Sequence, residues 1–139
     1  MKKIYLFFLI VLIEIGVTSG CTQAAEITYL TGEQSDQIAA QVEPIAREIL
    51  SAIEDQDYDL FVTHFDETMR KAIDKDQFSN IVKQYGKYGV PDSVELLNIE
   101  DQGNFYSANF GINYPDARLI MRLVVSSEDP SLVSGLWFK

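Results

Sequence analysis

The hydrophobic period of this 139-residue chain changes once, at Gly86-Lys87-Tyr88-Gly89-Val90-Pro91-Asp92. Upstream, apolar residues recur every three or four positions; downstream they recur every two. The first spacing lines one stripe of a helix and the second lines one face of a strand. Two glycines and a proline punctuate the change. Such a chain buries a helix stripe against a sheet face, which predicts an α+β domain with its helices first.

In the helical half, Thr31-Gly32-Glu33-Gln34 fits a capping box and starts a helix near Thr31 or Ser35. Ile38, Val42, Ile45, Ile49 and Ile53 follow on one stripe. Pro44 inside that stripe predicts a kink or a second helix start. A short helix is expected to hold Tyr58, Phe61 and Phe65, followed by an apolar group of Met69, Ala72 and Ile73. Asp74, three residues before Gln77, reads as the N-cap of a helix carrying Phe78, Ile81, Val82 and Tyr85. Gly86 or Gly89 is expected to end it.

In the strand half, runs from Val94 to Glu100, Phe105 to Tyr114, Ala117 to Val125 and Leu132 to Phe138 are separated by turn residues. Tyr106, Ala108, Phe110, Ile112 and Tyr114 share one face, and Leu119, Met121, Leu123 and Val125 another. Arg118 and Arg122 then point outward, beside Asn109 and Asn113 in the simple register. The prediction is a four-stranded antiparallel meander with helices on one face.

The N-terminus carries a separate signal. Met1-Lys2-Lys3, an apolar run from Ile4 to Ile13, and Val17-Thr18-Ser19-Gly20 are ordered as an export signal. The apolar run is half the length of a membrane span, and Glu14 interrupts it. Cys21, the chain's one cysteine, stands directly behind the small residues. This arrangement resembles the lipobox of bacterial lipoproteins, although Thr18 stands where leucine is usual. The resemblance implies a signal peptide over residues 1–20, diacylation of the Cys21 thiol and cleavage before it. Residues 21–31 would be the acylated cysteine and a short tether, and residues 32–139 the domain. The expected location is the cell envelope, lipid-anchored to a bacterial membrane and facing outward from the cytoplasm. An ordinary secretory signal cut near Ala24-Ala25 is the alternative.

With its one cysteine so used, the domain needs a hydrophobic core rather than disulfides. About 119 residues are enough for one. The whole chain carries a net charge of -10, and loss of Lys2, Lys3 and Glu14 with the signal leaves about -11. Such a surface excludes non-specific nucleic-acid binding, which needs cations on phosphates. The acidic cluster Glu54, Asp55, Asp57 and Asp59 lacks the spacing of a calcium loop.

Ile49-Leu50-Ser51-Ala52-Ile53, Asp57-Tyr58-Asp59, Phe65-Asp66-Glu67-Thr68-Met69, Phe78 and Gly86-Lys87-Tyr88-Gly89 together carry a second resemblance. The pattern looks like an uncharacterised domain family of bacterial envelope proteins, within the cystatin-like nuclear transport factor 2-like superfamily. That resemblance implies helices packed on a curved sheet, often around a cone-shaped pocket. It also implies binding of small apolar molecules in many members, catalysis in some, and a homodimer through the sheet face in many.

Nothing in the sequence singles out a catalytic residue, a metal site or a cofactor. His64 is the one histidine, and no Gly-x-Ser-x-Gly elbow is present. The aromatic residues Tyr85, Tyr106, Phe110, Tyr114 and Trp137 are the ligand-pocket candidates. No carboxylate lies on the inner face of the central strands, which argues against acid–base chemistry there. The expected function is therefore a non-catalytic envelope lipoprotein. Its membrane contact is the lipid on Cys21, and its ligand is a small apolar or peptide-like molecule or an envelope protein. An isomerase or dehydratase pocket is one alternative. An inhibitor or immunity-like role toward a basic partner, steered by the acidic surface, is another.

Overall fold

The computed structural model describes residues 27–139. The expected signal peptide and the Cys21 lipid site lie outside the described residues. Within them the order is β1 (Thr28–Tyr29), α1 (Gly32–Asp55), α2 (Tyr58–Phe61), α3 (Glu67–Ala72), α4 (Lys75–Tyr85), a 3-10 turn (Gly86–Tyr88), β2 (Ser93–Asp101), β3 (Phe105–Tyr114), β4 (Ala117–Ser126) and β5 (Val133–Phe138). The strands form an open antiparallel sheet in the order β1-β2-β3-β4-β5. The domain is α+β as expected, but the sheet has five strands rather than four. The additional strand is two residues long, too short to show a period, and Thr28 and Tyr29 pair with Asp101 and Glu100. Part of the expected tether is therefore sheet.

Helix α1 runs unbroken through Pro44. The amide that proline lacks would have met the Ala40 carbonyl, and both residues are exposed, so water can serve that carbonyl. Thr31 occupies the N-cap without a side-chain hydrogen bond, so the expected capping box does not form. Gly32 has a φ of 63°, a turn that bends the chain from β1 into the helix. The predicted stripe is the buried one: Ile38, Val42, Ile45, Ile49 and Ile53 lie against the sheet with Ala46, Leu50 and Ala52.

Asp57, Asp66 and Asp74 cap the three short helices by accepting from Leu60, Met69 and Gln77. The cap at Asp74 follows the sequence reading. Phe65, expected in α2, instead bridges to Val133 of β5. The Val133 N–H donates to the His64 carbonyl at 2.7 Å, and the Asp66 N–H donates to the Val133 carbonyl at 2.9 Å. This clips the helical segment to the last strand. Phe61, Phe65 and Phe78 close the core at that end, with ring centroids 5.0 Å and 4.7 Å from Phe61.

Candidate functional site

The sheet offers two faces, and the sequence placed its candidates on the inner one. Phe110, Ile112, Met121, Leu123 and Val125 line the centre of that face with 0% exposure. Zero accessible area means that no water-sized space touches them, so the centre is packed core. Phe110 is part of that core. The remaining inner tyrosines are dispersed. The Tyr106 hydroxyl accepts from Gln34 Nε2 at 3.3 Å, near the start of α1. Tyr114 stacks with Tyr88 at 5.3 Å, at the other end of β3. Eight residues of strand place these two about 26 Å apart. Tyr85 packs on Phe138 at 4.5 Å. Burial pushes the Tyr114 hydroxyl above the ordinary tyrosine range, and nearby Tyr88 and Glu54 push the same way. The five aromatic candidates therefore do not converge on one cavity.

Trp137 stands apart from the other four. It pairs with Arg122 across β4 and β5, on the face away from the helices, and is 53% exposed. The sequence could not assign its side because Leu136, Trp137 and Phe138 make both parities of the strand apolar. A register shift between Val124 and Val125 adds to the ambiguity.

The outer face is ordered by a polar network. Asn109 pairs with Arg122, and Asn113 with Arg118, in the register expected from sequence. Arg122 Nε donates to Ser107 Oγ at 2.6 Å, and Nη2 donates to Glu100 Oε2 at 2.5 Å. Asn109 Nδ2 donates to Glu100 Oε1 at 3.0 Å and to Asn98 Oδ1 at 2.8 Å. Gln102 Nε2 also reaches Glu100, at 3.3 Å. Glu100 thus fixes donors from three positions, and Arg122 is held in one orientation from two strands. The Arg118 guanidinium lies over Gly111, where a side chain would leave only 2.9 Å to Nη2.

Trp137 is seated by a second glycine. A Cβ at Gly135 would stand 2.4 Å and 2.5 Å from Cη2 and Cζ3 of the indole. The ring therefore folds back along β5 onto bare backbone. Beside it lies a groove of about 400 Å³ lined by Gln102, Arg122, Val124, Trp137 and Lys139. A smaller groove of about 260 Å³ runs between α1 and the start of β2, where Arg47 Nη2 donates to the Val94 carbonyl at 3.1 Å. Among the described residues, no three His, Cys, Asp or Glu side chains group to hold a metal ion. His64 sits between α2 and α3, with Nε2 3.2 Å from Glu48 Oε1. No described helix is long and apolar enough to cross a membrane.

Comparison with protein-family profiles, with characterised proteins and with solved structures finds no match.

Proposed function

We propose that this chain is a non-catalytic, membrane-anchored envelope lipoprotein whose domain binds an envelope component through the open face of its sheet. The anchor is the lipid on Cys21, and the fold is a cystatin-like variant in which helices fill the concavity that would otherwise hold a ligand. The observation that carries the reading is the contrast between the two faces. The helix-facing side is closed at its centre, whereas the opposite side exposes Trp137 and the 43% exposed Leu97 around an oriented polar network. Exposed tryptophan and fixed arginine are the residue types that concentrate binding energy at recognition surfaces. Among the inner tyrosines, Tyr106 supports an acid–base pocket less well, because its hydroxyl meets an amide rather than a carboxylate.

Two measurements check this reading. Globomycin should make a larger precursor accumulate in the native host. A photo-crosslinking residue at Leu97 should yield discrete adducts in intact envelopes, and the same residue at exposed Ser79 of α4 should not. Equal adducts from both positions would sink the open-face reading, and a precursor that never appears would sink the lipoprotein reading. An adduct at twice the chain mass would identify the component as a second copy.

A further inference from the structure

Extending the open-face reading, on which it rests, we propose that the Trp137 groove is a site for an acidic sugar, a pyranose ring carrying a carboxylate. Three features of the groove select that chemistry. One wall is a half-exposed indole, which offers apolar contact to the C–H edge of a ring, held on the sheet because residue 135 has no side chain. Beside it stands Arg122, its cross-strand partner. Its Nε and Nη2 are engaged by Ser107 and Glu100, while Nη1 has no acceptor among the described residues. A guanidinium fixed on one side and free on the other is preorganised to donate to an anion. Lys139 adds an ammonium with no carboxylate within ion-pair distance among the described residues, and Gln102 adds an amide.

Charge narrows the ligand further. Arg122 and Lys139 are the charged side chains that line the groove, Glu100 already offsets Arg122, and the chain as a whole has a net charge of -10. A densely charged polyanion would gain one uncompensated cation and meet the repulsion of the whole domain. A sugar with one carboxylate per ring keeps the local attraction and limits the general repulsion. A purely apolar partner would leave the free donors of Arg122 and Lys139 desolvated and unpaired, which is costly. The volume, about 400 Å³, lies in the range of small-molecule sites.

Trp137 is the chain's one tryptophan, so its fluorescence reads the groove directly. The full chain, in non-ionic detergent, would be titrated with tri-galacturonate, with neutral cellotriose and with sodium acetate at matched carboxylate concentration. The expected result is a saturable emission change with tri-galacturonate, binding at least about tenfold weaker for cellotriose, and no saturable change with acetate. Lys139→Gln should weaken tri-galacturonate binding severalfold. The paired change Arg122→Gln with Glu100→Gln, which strands no charge, should weaken it by about tenfold. Unchanged circular dichroism would establish that both variants fold, and Lys139→Gln, at an exposed position, serves alone if the pair does not. Equal binding of cellotriose, saturation by acetate, or no response to tri-galacturonate would each overturn the acidic-sugar assignment. If that assignment fails while the Leu97 adducts persist, the open-face reading survives with a different ligand. If both fail, the open-face reading itself is lost.

Discussion

Two glycines on the outer sheet face act by what they lack. Gly135 leaves room for the indole of Trp137, and Gly111 leaves room for the guanidinium of Arg118. Gly135→Ala should push the indole off the sheet, because the new methyl would sit 2.4 Å from Cη2. The ring is the exposed end of a side chain, so the cost to stability should stay below about 1 kcal/mol. The readout is the emission maximum of the sole tryptophan, expected to shift to longer wavelength; an unmoved maximum would show that the ring does not rest there. Tyr114 offers a second residue-level check. Its raised value in the folded chain means that it keeps its proton while exposed tyrosines ionise. Its contribution to stability is complete below the ordinary tyrosine value, about pH 10, and is lost as pH rises through the raised one. Tyrosinate absorbance near 295 nm should therefore rise in at least two steps, with the later step missing in Tyr114→Phe.

At the scale of elements, three aspartates start three short helices, and their caps matter because helices of four to eleven residues have little stability of their own. Asp66→Ala should cost about 1 kcal/mol by chemical denaturation. The Met69 N–H, with help from Ser134 and Thr68, holds the Asp66 carboxyl below the usual carboxylate range. That contribution is complete above the unfolded value, about pH 3.9, and is lost as pH falls through the lower folded value. The gap between wild type and Asp66→Ala should accordingly be open at pH 6 and closed near pH 2. Equal gaps at both pH values would remove Asp66 from its capping role. Signals this local were partly legible. Asp74 with Gln77 marked its helix, and the 3.6 and 2.0 periods placed α1, α4 and the four long strands. Asp66 was passed over because the apolar group behind it is only one turn and a half long. Phe65 was misplaced because its role is a bridge to Val133, a contact between residues 68 positions apart that no local pattern encodes. The side of Trp137 was hidden by three consecutive apolar residues and a register shift.

At the scale of the whole molecule, the described residues form one core between one long helix and one sheet face. Ile49 lies near the centre of α1 with 1% exposure, and Met121 and Leu123 face the helix layer from β4 with none. Ile49→Ala should cost about 3 kcal/mol, mostly as an unfilled cavity, and lower the melting temperature by roughly 10 °C or more. Thermal unfolding followed by circular dichroism measures it, and a loss under about 1 kcal/mol would mean that the core is not close-packed there. The same close packing separates the candidate sites: substitution at Phe110 should act on stability, and substitution at Trp137 on recognition. This division was not legible in the sequence, because alternation says that two faces exist but not which one the helices fill to the centre.

The pairing of Thr28 and Tyr29 with β2 also sets a leash. Only six residues lie between Cys21 and Thr28, seven steps of chain with a reach of at most about 25 Å when fully drawn out. With a lipid on Cys21, the domain is moored by the β1 edge of its sheet. The strand order puts β5 at the opposite edge, four strand spacings or about 19 Å away. With that lipid in place, Trp137 on β5 would stand at the edge of the sheet away from the bilayer, while the Gln102 end of its groove, next to the Asp101 that pairs with Thr28, would lie toward the mooring.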